Sequence, residues 1–147
     1  MTVSIRKATY TYGCILERQA YTVSVPSDVY VREADYAGIS SGREANKFAE
    51  TNLTAVKSDL VDAPYIEEFP LILECKLIRT VELGLHTQFI GEILDVKADE
   101  EVLSGGSYPL MAKVKPILYG TGDRKYFGIG SLLGDAFSIG NTIRQDH

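Results

Sequence analysis

The sequence predicts a mainly β, antiparallel fold with inserted helices, a small barrel with helical excursions. Three observations carry the prediction. Two long apolar-rich runs, residues 70–83 and 85–96, flank Gly84 and read as a pair of long strands. Two shorter runs, residues 3–6 and 20–25, alternate apolar and polar side chains at the period of a half-buried strand. Between the short runs apolar residues recur at helical spacing, and no period of roughly 20 to 50 residues repeats, which excludes a solenoid or propeller.

Val3 and Ile5 alternate with Ser4 and Arg6. Past Arg6 and Lys7 the pattern becomes Tyr12, Ile15 and Leu16 on one helical face, so Thr9 or Thr11 caps a first helix. The next strand, residues 20–25, stops at Pro26, which cannot donate to a ladder. Ser27 or Asp28 caps a helix with Tyr30, Ala34 and Ala37 on one face, ending near Gly38. Residues 40–43 form a turn and 45–49 a short helix, which either places Ser41, Arg43 and Lys47 on one rim or serves as a plain connection with solvated charges. Residues 53–69 read as a weak edge strand and a crossing loop. Pro70 opens the first long strand, with Leu71, Leu73, Cys75 and Leu77 on a core face. The second long strand is apolar on both faces, Ile90, Leu94 and Val96 on one and Phe89 and Ile93 on the other. Such a strand is expected to be covered on both sides, by the core and by a partner subunit or ligand. A loop at 104–107, a short strand at 117–119 and a turn at 120–123 follow, the turn joining Tyr119 and Tyr126 in a hairpin. From Gly134 the tail reads as extended and polar.

The 147 residues fit a single domain, with 1–140 as its body and 141–147 as a tail. Hydrophobic content of 45% and charge of 24% are ordinary globular values and argue against disorder. A net charge of −5 argues against nucleic acid or an anionic membrane as partner, so any anionic ligand needs local cations. No apolar run approaches the roughly 20 residues needed to span a bilayer, and no signal peptide precedes the first strand, so a soluble cytoplasmic protein is expected. Cys14 and Cys75 lack metal-ligand or redox spacing and are expected to be buried thiols, and no metal site is predicted.

The candidate chemistry lies first at residues 3–13, where a strand end meets a helix start. Free backbone N–H groups, Arg6, Lys7 and the threonine hydroxyls are what a phosphate needs, although an ordinary solvated corner has the same residue types. His86 opens the second long strand beside Gly84, where a side chain can face a mouth of the barrel rather than its interior, although a lone histidine is more often a hydrogen-bonded structural residue. No Ser-His-Asp constellation is discernible, which removes the hydrolase reading. The run GTGDRKYFGIG lacks both the P-loop ending and the Rossmann context.

Taken in order, SIRKATYTYG, SGREANKF, DAPYIEEFPLILEC, LGLHTQFIGEI and KPILYGTGDRKYFGIG resemble the flavin reductase-like proteins of the flavoredoxin type, from residue 3 to about 140. The resemblance implies an FMN-binding split β-barrel of Greek-key, antiparallel topology. It also implies two further strands before the first one here, so the chain reads as N-terminally truncated, with one side of the barrel open. It implies that Arg6, Lys7, Thr11, Ser41 and Lys47 hold the FMN phosphate and ribityl chain, and that His86 and Tyr119 lie beside the flavin ring. The implied activity is transfer of electrons or hydride through FMN, from NAD(P)H or an electron-transfer protein, in a homodimer. A non-catalytic flavin carrier, or a truncated dimeric interaction domain without turnover, is the alternative.

Overall fold

The computed structural model describes residues 1–144. Its centre is a four-stranded antiparallel sheet. The strands are β1 (Thr2–Arg6), β2 (Ala20–Val25), β5 (Leu71–Leu83) and β6 (His86–Ala98), in the order β1-β6-β5-β2. Between β1 and β2 lies α1 (Tyr10–Arg18). Between β2 and β5 lie a 3-10 turn at Asp28–Tyr30, α2 (Val31–Ile39), α3 (Lys47–Thr51) and a small hairpin of β3 (Ala55–Lys57) and β4 (Pro64–Ile66). After β6 come β7 (Leu103–Ser104), β8 (Tyr108–Pro109), α4 (Met111–Val114) and the hairpin of β9 (Leu118–Gly120) with β10 (Lys125–Phe127).

Local choices follow the residue types. Thr9, not Thr11, caps α1, its hydroxyl accepting from Tyr12 N at 3.3 Å. The helix after Pro26 begins one turn late: Ser27 leads into a 3-10 turn and makes no side-chain cap bond, so the α-helix starts at Val31. Tyr119 pairs with Tyr126 across the expected hairpin. From Gly134 the chain turns and forms a 3-10 helix at Ile139–Arg144 instead of running extended. That segment is not uniformly polar either, since Phe137, Ile139 and Ile143 are all exposed. Residues 145–147 of the expected tail, His147 among them, lie outside the described residues.

The core sits on one face of the sheet. Ile15, Tyr21, Cys75 and Phe89 are buried together, with Val3, Ile5, Tyr12, Val23, Leu73 and Leu77 packed around them. Leu73, Cys75 and Leu77 therefore occupy the core face the alternation predicts, but Ile72 and Glu74, on the other face, are buried as well. The reason is tertiary: the β3–β4 hairpin covers that face, Thr22 Oγ1 donating to the Pro64 carbonyl at 2.6 Å and Ile66 N donating to Ser24 Oγ at 3.3 Å.

The pairing of β5 with β6 slips at Leu94 and again at Ile78. Each bulge inserts one unpaired residue and inverts the inside–outside alternation. Val96 thus shares the face of Phe89 and Ile93, opposite Leu73, rather than that of Ile90. Within the single chain this strand is fully covered only on the core face of its first half. Phe89 is fully buried, whereas Ile93, Leu94 and Val96 are exposed in the single chain.

Gly91 admits the core tyrosine. A Cβ there would lie 2.6 Å from Tyr21 Oη and 3.0 Å from Tyr21 Cε1. Tyr21 is buried, its hydroxyl donating to the Met1 carbonyl at 3.0 Å, so the ring has no room to yield. Gly91→Ala is expected to destabilise the fold by about 2 kcal/mol, the scale of overpacking in a well-packed core, read from the midpoint of urea unfolding.

Candidate functional site

The turn that ends β1 and the loop between α2 and α3 are tied together. Thr9 folds back on the strand end, its N–H and hydroxyl both donating to the Arg6 carbonyl. Arg43 crosses from the other side, its guanidinium donating to the Ala8 carbonyl at 3.0 Å and lying 6.0 Å above the Tyr10 ring. Ser41 Oγ accepts from Arg43 N at 3.3 Å and closes the loop, while Asn46 Oδ1 caps α3. Gly42 is needed where it stands, since a Cβ there would come within 2.8 Å of Tyr10 Cδ1.

Between these segments opens a cleft of about 570 Å³, lined by Tyr10, Thr11, Arg43, Asn46, Lys47 and Phe48 among others. The start of α1 faces it with Tyr10 and Thr11 and carries no acidic residue in its first turn. The first N–H groups of a helix lack an acceptor in a preceding turn, so an anion is favoured there. Lys47 lines the cleft while its ammonium donates to the Ala37 carbonyl. Cations, a hydroxyl and helical N–H groups in one cleft with the aromatic rings of Tyr10 and Phe48 fit a phosphate-bearing ring compound.

The structure distributes the sequence-derived residues over three places. Thr11 and Lys47 line the cleft and Ser41 braces the loop beside it. Arg6 and His86 form a register pair at the end of the sheet, on the face turned away from the core cluster, and both are exposed. Lys7 pairs with Glu82, whose other oxygen accepts from the buried Thr87 hydroxyl at 2.8 Å. Tyr119 stands apart on the β9–β10 hairpin, its ring 5.2 Å from that of Tyr126, which donates to Asp35 of α2 at 3.0 Å. Arg43, placed on a rim but not assigned to the anion, is the most fully engaged cation of the cleft. Tyr10 and Phe48 were missed altogether; their only sequence signal is a place next to a cap and next to Lys47.

Cys75 is buried as expected, and burial pushes its thiol up. Cys14 is only half-buried and lines a second groove.

The Lys7–Glu82 pair has a measurable signature. The hydrogen bond from Lys7, then that from Thr87, holds the Glu82 carboxyl below the usual carboxylate range, and Glu82 in turn raises Lys7. A depressed carboxylate stabilises the fold above its unfolded pKa and loses that contribution as pH falls through the folded value. Carbon-13 NMR titration is expected to find Glu82 titrating below an exposed glutamate, and Lys7→Ala to move it upward.

Comparison with known proteins identifies the family and the fold. The Flavin reductase like domain family matches residues 1–128, and the chain belongs to that family. Flavoredoxin of Desulfovibrio vulgaris (Miyazaki F) superposes with a TM-score of 0.88 at 50% identity, over 95% of this chain and 75% of that one. Flavoredoxin from Methanosarcina acetivorans superposes with a TM-score of 0.90 at 30% identity, over 97% of this chain and 75% of that one. The fold is thus the mainly β split barrel of the flavin reductases. A curated Archaeoglobus fulgidus protein, described only as uncharacterized, is 39% identical over 94 residues, which make up 64% of this chain and 53% of that one. The chain therefore spans about half of that relative's length. Among the described residues no helix is long and apolar enough to cross a membrane.

Proposed function

We propose that this flavin reductase-like chain binds FMN and passes electrons or hydride through it, taking them from NAD(P)H or from an electron-transfer protein. The observation that carries the reading is the convergence of Thr11, Arg43, Lys47 and the start of α1 on one cleft. In this reading Arg43 and Lys47 offset the phosphate charge, and the Thr11 hydroxyl and first-turn N–H groups donate to its oxygens. Ser41 and Gly42 shape the loop that carries Arg43, while Arg6, exposed at the end of β1, adds positive charge outside the cleft and Lys7 is neutralised by Glu82. His86 and Tyr119 are assigned to the ring environment on the family resemblance. Bound FMN supplies the redox chemistry, and the protein's part is to hold and orient it.

A homodimer completes the proposal. Ile93, Leu94 and Val96 on β6, with Leu132, Leu133 and Phe137 beyond β10, present exposed apolar side chains that a second copy would cover. The free thiols suit a reducing, cytoplasmic setting.

Titration of the purified protein with FMN is expected to quench flavin fluorescence saturably, and an unchanged spectrum at micromolar protein would overturn the proposal. Steady-state oxidation of NADH or NADPH with excess FMN distinguishes turnover from a flavin carrier. Sedimentation as a clean monomer at micromolar concentration would remove the dimer.

A further inference from the structure

A second groove, of about 770 Å³, runs along the flank of α1 and takes no part in the reading above. Its floor is apolar, formed by Ile15, Ala20 and Tyr21, and its far wall is Ala55, Ala63 and Pro64 of the β3–β4 hairpin. The hairpin is held in place by the Thr22 hydroxyl on the Pro64 carbonyl, so the wall belongs to the fold. At one end the groove shares Tyr10, Thr11 and Phe48 with the first cleft, and the two are continuous.

The charges lining it are few and unequal. Arg18 and Asp62 both line the groove and neutralise each other at 2.8 Å. Lys57 also lines it and, among the described residues, its ammonium makes no hydrogen bond or ion pair, leaving one uncompensated positive charge. An apolar groove of this volume with one free cation selects a ligand having a compact apolar body and a single negative charge. Aromatic side chains at the shared end favour a flat ring. A dianion would leave one of its charges without a cation, since Arg18 is already taken by Asp62.

We propose that the groove between α1 and the β3–β4 hairpin binds a small aromatic carboxylic acid, its ring on the apolar floor and its carboxylate on Lys57.

The probe pair is 2-naphthoate and its neutral analogue 2-naphthol, applied to the full chain with and without saturating FMN. Cys14 lines the groove and is half-buried while Cys75 is fully buried, so maleimide labelling reports on Cys14. 2-Naphthoate is expected to slow labelling saturably and to bind about tenfold more tightly than 2-naphthol, the scale of one charge-assisted contact. Lys57→Met is expected to abolish that difference while 2-naphthol binds as before. Ala63→Trp, which fills the groove, is expected to remove both ligands. No protection at millimolar probe, or equal affinity of the two probes for the parent, would overturn the assignment. Displacement of FMN by 2-naphthoate would also overturn it, since the groove would then be part of the flavin site. The measurement without FMN stands even if the protein binds no flavin.

Discussion

Replacing Arg43 and Lys47 together by alanine is expected to weaken FMN binding about a hundredfold and to leave riboflavin binding unchanged. The phosphate brings about two negative charges at neutral pH, and a chain of net charge −5 has only local cations to set against it. Each hydrogen bond to a charged group contributes about 1.5 kcal/mol or more, so two lost together cost about 3 kcal/mol, or two decades of affinity. Arg43 also braces the loop through the Ala8 carbonyl, which makes riboflavin the needed control. A parallel loss of riboflavin affinity would mean that the two cations hold the fold and not the phosphate. Lys7→Ala should change FMN affinity by no more than about threefold, because Glu82 already neutralises that exposed ammonium. Raised salt should weaken FMN more than riboflavin, since only FMN relies on a screened ion contact.

Lys97→Met is expected to be the most destabilising single change on the outer face of the sheet. Glu74 is fully buried, and neither of its oxygens has a hydrogen-bond partner among the described residues. Its compensation is the Lys97 ammonium at 3.2 Å, which also bonds Asp95 at 3.0 Å and lies 6.0 Å from the centre of the Tyr65 ring. Removing the cation strands a buried charge, a loss that typically costs 3–5 kcal/mol; the partial exposure of Lys97 places this case at about 3 kcal/mol. Replacing both partners, Glu74→Met with Lys97→Met, should recover most of the loss, because an apolar pair leaves no charge to solvate. Urea unfolding of the double-mutant cycle measures both. A loss below about 1 kcal/mol for Lys97→Met would show that the Lys97 contact is not what compensates the buried Glu74 carboxyl.

Elements with a strong local signal were legible. The alternation of Val3 and Ile5, the stop at Pro26 and the Gly-Thr-Gly-Asp turn between Tyr119 and Tyr126 each report on contacts within a few residues, and the structure has them where expected. Of the candidate site residues, Thr11 and Lys47 line one cleft, but no spacing rule indicates that Glu82 would take Lys7 or that Arg43 would reach across to Ala8. Those partners are far apart in sequence, 75 and 35 positions, and meet only once β5, β6 and the α2–α3 loop are in place.

By itself, then, the sequence determined the four long or strongly alternating strands, the first three helices, the family and the phosphate-compatible chemistry at the start of α1, because these depend on local periodicity, capping and ordered motifs. The tertiary structure alone decided which side chains are available. The bulges at Ile78 and Leu94 invert the alternation within β5 and β6, carrying Val96 to the core side of the sheet. The β3–β4 hairpin buries Glu74 on the face opposite the one that alternation assigned to the core. Pairing between distant charges removed Lys7 from the free cations and left Arg43 and Lys47 facing the cleft. The physical reason is the same each time: burial and charge compensation are set by whatever packs on top of a residue, and in this chain the covering segment lies tens of residues away.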